Sequence, residues 1–145
     1  MLILGGVPFS SGRATFTDKL PTATGSARVY VKVAVGGMDD TFLAMLDSGA
    51  EWSVIDPEIA EASGLTAQDG EATTLRYQGG RAPGKLVHAT ISVIADEGES
   101  LNIEGTVFVP TGEWPTGRHF LGYHGFLENI RIGLAPQTND LYFGV

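Results

Sequence analysis

Val29, Val31, Val33 and Val35 alternate with Arg28, Tyr30, Lys32 and Ala34, and this period of two most limits what the chain can become. Residues two apart share one face of a strand, whereas a helix would scatter them around its circumference. A half-buried strand over 28–35 follows. The same period returns at Val87, Ala89, Ile91 and Val93 against His88, Thr90 and Ser92, inside a strand expected over 85–95. Leu101, Ile103, Val107 and Val109 mark another. The apolar run 41–46 reads as a central strand, since a strand buried on both faces loses its alternation. Shorter strands are expected at 52–55 and 71–77, around Ile130, Ile132 and Leu134, and around Leu141, Phe143 and Val145. Twenty glycines in 145 residues, with no G-x-y repeat, supply the tight turns such a chain needs. The class is all-β.

One helix interrupts the strands. Asp56-Pro57-Glu58 offers an N-cap, a first-turn proline and an acidic first turn, and Gly64 closes the segment in the C′ role. Residues 125–129 suit a single helical turn. Residues 1–27, rich in Gly, Ser, Thr and Pro from residue 5 onward, read as an N-terminal arm or edge segment, and 28–145 as the domain proper. No repeat or linker divides it.

Seventeen acidic against nine basic residues give a net charge of −8, which disfavours nucleic acid and anionic membrane as partners. With no cysteine there is neither disulfide nor thiolate metal site. No apolar run approaches a membrane span, and Met1 to Leu4 is short for a signal peptide, so a cytoplasmic location is expected. His119 and His124 lack acidic ligands at a useful spacing and read as packing or surface residues. No metal or cofactor is expected. The nucleophile elbow, phosphate loop and zinc-protease helix are all missing.

The segment carrying chemistry is Phe42-Leu43-Ala44-Met45-Leu46-Asp47-Ser48-Gly49-Ala50-Glu51-Trp52-Ser53-Val54-Ile55. An apolar strand delivers one carboxylate, Asp47, at a sharp turn of small residues. Asp-Ser-Gly by itself is ordinary turn chemistry, because Asp and Ser hydrogen-bond their own backbone. In context, Leu46 to Ile55 resembles the catalytic loop of retropepsin-like aspartic proteases: an apolar strand, Asp-Thr/Ser-Gly-Ala, a small or polar pair, then Val or Ile. Residues 56–65 are similar to the short helix that bacterial members place next. Phe120-Leu121-Gly122-Tyr123-His124-Gly125-Phe126-Leu127 is similar to the family's apolar-Leu-Gly-x-x-x-Phe-Leu segment, and Ile130-Arg131-Ile132 to the strand after it. Ser48 stands where Thr is commoner, and Glu51 and Trp52 are less typical.

The resemblance implies a closed β-barrel-like acid-protease fold with one or two short helices, active as a two-fold homodimer. It implies Asp47 as the catalytic residue, with Ser48, Gly49 and Ala50 supporting its loop. It also implies a substrate-covering flap in the glycine-rich hairpin, with Tyr77, Gln78, Gly79 and Gly80 as candidates. The chemistry needs two carboxyls sharing one proton, one activating water and the other donating to the scissile carbonyl. Asp-Ser-Gly occurs once, so the second carboxyl is expected from a second copy. The expected function is an aspartic endopeptidase acting on extended peptides with apolar side chains near the scissile bond. Its partners would be itself and a peptide or protein substrate. Two alternatives stand beside it: a catalytically silent dimerisation or peptide-binding module on the same fold, and an unrelated acidic barrel that binds a small ligand.

Overall fold

The computed structural model describes residues 1–18, 28–77 and 79–145. Gln78 of the expected flap and residues 19–27 of the expected arm lie outside the described residues. In chain order the strands are β1 (Ile3–Leu4), β2 (Val7–Pro8), β3 (Gly12–Thr15), β4 (Tyr30–Val35), β5 (Phe42–Leu46) and β6 (Ser53–Val54). Helix α1 (Pro57–Ala62) follows, then β7 (Glu71–Tyr77), β8 (Gly80–Val93), β9 (Glu97–Gly98), β10 (Leu101–Pro110), β11 (Phe120–Leu121), β12 (Arg131–Ala135) and β13 (Asp140–Gly144).

Six strands close on themselves in the order β10, β6, β11, β5, β4, β8 and back to β10, and β7 pairs outward from β8. Closure removes the unpaired edges that an open sheet presents. The long antiparallel pair β8–β10, in register from Leu101 opposite Val93 to Pro110 opposite Gly84, forms the wall. Strand β4 pairs with the end of β8, Val33 opposite Val93 and Val35 opposite Ile91, and its alternating valines face the core. Val31, Val33, Val35, Ile91, Val107, Phe126 and Phe143 are all buried in one core. Removing a buried Phe side chain from such packing costs about 3–5 kcal/mol, so this barrel is what fixes the site in space.

The N-terminal segment contributes to the same body. Strand β3 pairs with β13 on one side and β9 on the other, within a four-stranded sheet β12-β13-β3-β9. Ala14 and Phe16 are buried in the barrel core, and Arg13 pairs with Asp140 and Glu97 across the sheet. Helix α1 begins and ends as its sequence dictates. The Asp56 side chain accepts from the Ile59 N–H at 2.8 Å, and Gly64 takes φ 80°, a conformation that disfavours any residue with a Cβ. A 3-10 turn at Leu127–Asn129 occupies the segment expected to make one helical turn.

The hairpin after Tyr77 differs from expectation. The sequence reads 78–84 as a loop, yet β8 begins at Gly80 and pairs residue for residue with β7, Tyr77 opposite Gly80 and Leu75 opposite Ala82. Pro83 and Gly84 look like turn residues but serve another purpose. A Cβ on Gly84 would lie 2.3 Å from the Phe108 ring and 2.5 Å from the Val109 carbonyl, so glycine here lets two strands press together. Pro83 lacks an N–H but still supplies its carbonyl to the Thr111 N–H at 3.0 Å.

Candidate active site

Asp47 follows the last residue of β5 and sits half-buried in a cleft of about 740 Å³. Its loop is built from three backbone constraints. The Asp47 N–H donates to the Leu121 carbonyl at 3.0 Å, tying the loop to β11. The Ala50 N–H donates to the Asp47 carbonyl at 3.1 Å, closing the turn. The Gly49 N–H donates to Asp47 Oδ1 at 2.9 Å, fixing the carboxylate over its own loop. A hydrogen bond to a carboxylate oxygen sets its orientation. A Cβ on Gly49 would stand 3.2 Å from Asp47 Oδ1, crowding that oxygen. Ser48 is exposed, and among the described residues its hydroxyl has no hydrogen-bond partner. Ala50 is half-buried and packs against the cluster of Val54, Leu75, Ala82, Phe108 and Phe120.

The downstream segment Leu121-Gly122-Tyr123-His124 runs beside this loop and braces it. Tyr123 N–H donates to the Ala50 carbonyl at 2.8 Å and His124 N–H to the Glu51 carbonyl at 2.9 Å. Gly122 N–H donates to the buried Ser53 hydroxyl at 2.9 Å. The glycine is obligatory by space: a Cβ there would lie 2.3 Å from the Trp52 backbone. The two sequence segments that carried the family resemblance thus interlock through their main chains, seventy residues apart.

Behind the loop lies a buried polar pair. His119 and Asp56 are both almost wholly buried. The Asp56 N–H donates to His119 Nδ1 at 3.2 Å, so Nδ1 must keep its lone pair, and the ring proton sits on Nε2, 3.5 Å from Asp56 Oδ2. Burial pushes His119 below its ordinary 6.5, and the Asp56 carboxylate offsets this only in part. Asp56 Oδ2 also accepts from the Gly117 N–H at 2.7 Å. The residue read from sequence as a helix cap therefore does three jobs, joining α1, His119 and the 116–118 turn. His124 is half-exposed and lies 3.7 Å from Glu128. Among the described residues no cluster of His, Asp and Glu is assembled that could hold a metal ion, and no helix is long and apolar enough to cross a membrane.

The far wall carries Tyr77, Arg118 and Phe120, with Trp114 packed against them. Tyr77, a flap candidate, meets Trp114 edge-on with ring centroids 5.4 Å apart. Gly79 and Gly80 complete the hairpin tip at φ 118° and 152°, the first well inside the region that favours glycine. Arg118 was not anticipated. Its only sequence signal is its place two residues before the Phe120-Leu121-Gly122 segment.

A closed all-β barrel with a lone Asp-Ser-Gly loop at its cleft matches the family model described as aspartyl protease over residues 31–105, just over half of the chain. The chain belongs to the aspartyl protease family of the retropepsin-like clan. The match contains the Asp47 loop and the β7–β8 hairpin and stops before the 120–127 segment. No curated protein matches the chain.

Proposed function

We propose that this chain is an aspartic endopeptidase that works as a two-fold homodimer, each subunit giving one Asp47 to a shared site. The observation that carries the reading is the seating of Asp47. Its carboxylate is pinned by the Gly49 N–H in an open cleft, in a chain of the aspartyl protease family. Besides Asp47, the described residues that line the cleft include one further carboxylate, the exposed Glu51, and the sequence has no second Asp-Ser-Gly to face the first. Symmetry supplies the missing partner.

In such a pair the two carboxyls share one proton, because like charges a few Å apart do not both ionise. One oxygen takes a proton from the attacking water while the other carboxyl donates to the scissile carbonyl. Bond formation at carbon and proton transfer then proceed together, and the leaving amine collects the proton. The apparent pKa values belong to the dyad. The exposed Ser48 hydroxyl suits a contact across the axis between the two loops, and Tyr77 on the hairpin suits one with an extended peptide laid in the cleft. Cleavage of a diverse peptide library between pH 3 and 7, with and without pepstatin, tests the reading. Pepstatin-sensitive cleavage supports it, and absence of cleavage by a folded dimer across that range defeats it.

A further inference from the structure

The chain as a whole is acidic, but its cleft is not. Arg28, Arg76 and Arg118, three of the nine basic residues, line it against two carboxylates, Asp47 and Glu51. Arg118 is held in an unusual setting. Its guanidinium lies over the rings of Phe120, Tyr77 and Trp114, at 5.4, 5.8 and 5.9 Å from their centroids. Its own carbonyl accepts from Trp114 Nε1 at 2.9 Å, which locks the box to the backbone that carries the arginine.

Stacking uses the face of a guanidinium and leaves its in-plane N–H donors at the rim. The ion pairs among the described residues involve Arg13, His119 and His124, so Arg118 and Arg76 have no carboxylate beside them. Arg76 also stands directly opposite Arg81 in the hairpin, a like-charge cross-strand pair that an anion would relieve. A guanidinium already resting against three rings loses less freedom on binding than one extended into solvent, so its donors are better prepared for a planar anion.

We propose that Arg118 is a specificity-determining residue that receives a carboxylate of the bound peptide, so that the enzyme favours a Glu or Asp side chain near the scissile bond. This rests on the cleft around Asp47 being the peptide site. It adds a charged position to the expected preference for apolar side chains near the scissile bond: the aromatic rings remain, and at this position they aim a charge.

The test uses C-terminally amidated peptides, identical except for Glu or Gln at each position flanking the central bond, at pH 6, where Glu is ionised. The wild-type dimer is expected to show kcat/KM about tenfold or more higher for the best Glu peptide than for its Gln twin, mainly through KM. That ratio should fall to near one in Arg118→Gln and recover in part in Arg118→Lys, which keeps charge but loses the fork. A second arm titrates the same peptides into Asp47→Asn protein and follows tryptophan fluorescence, since Trp114 packs on the arginine. A Glu preference in binding that needs Arg118, without cleavage by wild type, upholds this inference and refutes the protease reading. Equal treatment of Glu and Gln in both arms overturns it, as does a preference that survives Arg118→Gln. If the same peptides with a free C-terminal carboxylate bind through Arg118 while the amidated set shows no Glu preference, the arginine is assigned to a chain end and the side-chain form is overturned. Loss of the dimer in Arg118→Gln with an unchanged ratio in the remaining dimer would make Arg118 a subunit contact instead.

Discussion

The backbone N–H of Asp47 donates to the carbonyl of Leu121, 74 residues later, at 3.0 Å. That bond hangs the carboxylate loop from β11, and β11 is held between β5 and β6 within the closed ring. The barrel thus sets where the Asp47 loop stands, and the Gly49 N–H within the loop sets how its carboxylate points.

Replacing Asp47 by Asn should remove peptidase activity and leave the fold intact. Asn keeps an oxygen for the Gly49 N–H, so the loop geometry survives. It cannot ionise, so the shared proton and the base are lost together, a fall of at least about a hundredfold in kcat. Activity assays on purified, folded mutant decide this, and wild-type turnover would refute the role given to Asp47.

Two glycine substitutions should separate architecture from chemistry. Gly122→Ala forces a methyl within 2.3 Å of the Trp52 backbone, and neither main chain can yield cheaply. The expected cost is about 1–3 kcal/mol or more, seen as a lower unfolding temperature. Gly49→Ala meets only the Asp47 carboxylate oxygen at 3.2 Å. It should turn the carboxylate and lower kcat while the unfolding temperature stays near that of wild type. Equal thermal effects of the two changes would contradict this division.

Acid should weaken the fold through His119 before it touches the surface carboxylates. Because burial holds the folded-state pKa of His119 below 6.5, the unfolded chain takes up a proton that the folded chain refuses as pH falls through that value. Stability contributed by the neutral ring is complete above pH 6.5 and is lost below it. Each tenfold weakening of proton binding on folding is worth about 1.4 kcal/mol, or about 4 °C for a chain of this size. Asp140 is held below 3.8 by the Thr138 hydroxyl and by Arg13, so its contribution fades only at lower pH. His119→Gln keeps an acceptor for the Asp56 N–H without titrating. Thermal melts at pH 7 and pH 5 should show a smaller drop for the mutant, and parallel drops would contradict the account.

Much of the fold was legible because its signals are local. The valines of 29–35 carry their own period, Asp56 and Gly64 bracket α1 by their conformational preferences, and the Asp47 loop and the 120–127 segment are each recognisable as short strings. What escaped depends on neighbours far away in sequence. Pro83 and Gly84 read as a turn, since nothing nearby reveals that Phe108 and Val109 press against them. Asp56 read as a cap, since its second partner, His119, lies 63 residues on. Arg118, Trp114, Phe120 and Tyr77 are unremarkable singly and become a box only when β7 is laid beside the 114–120 segment.

The shared site is tested most directly by mixing subunits. If each active site takes one Asp47 from each chain, a dimer of wild type with Asp47→Asn is dead. With free exchange, confirmed by differently tagged chains above the dissociation constant, adding an equal amount of mutant to fixed wild type traps half the wild-type chains in mixed dimers. Activity is expected to fall to about half, the share set by random pairing around a two-fold axis. Undiminished activity despite proven exchange would show a complete site within one chain and contradict the shared site.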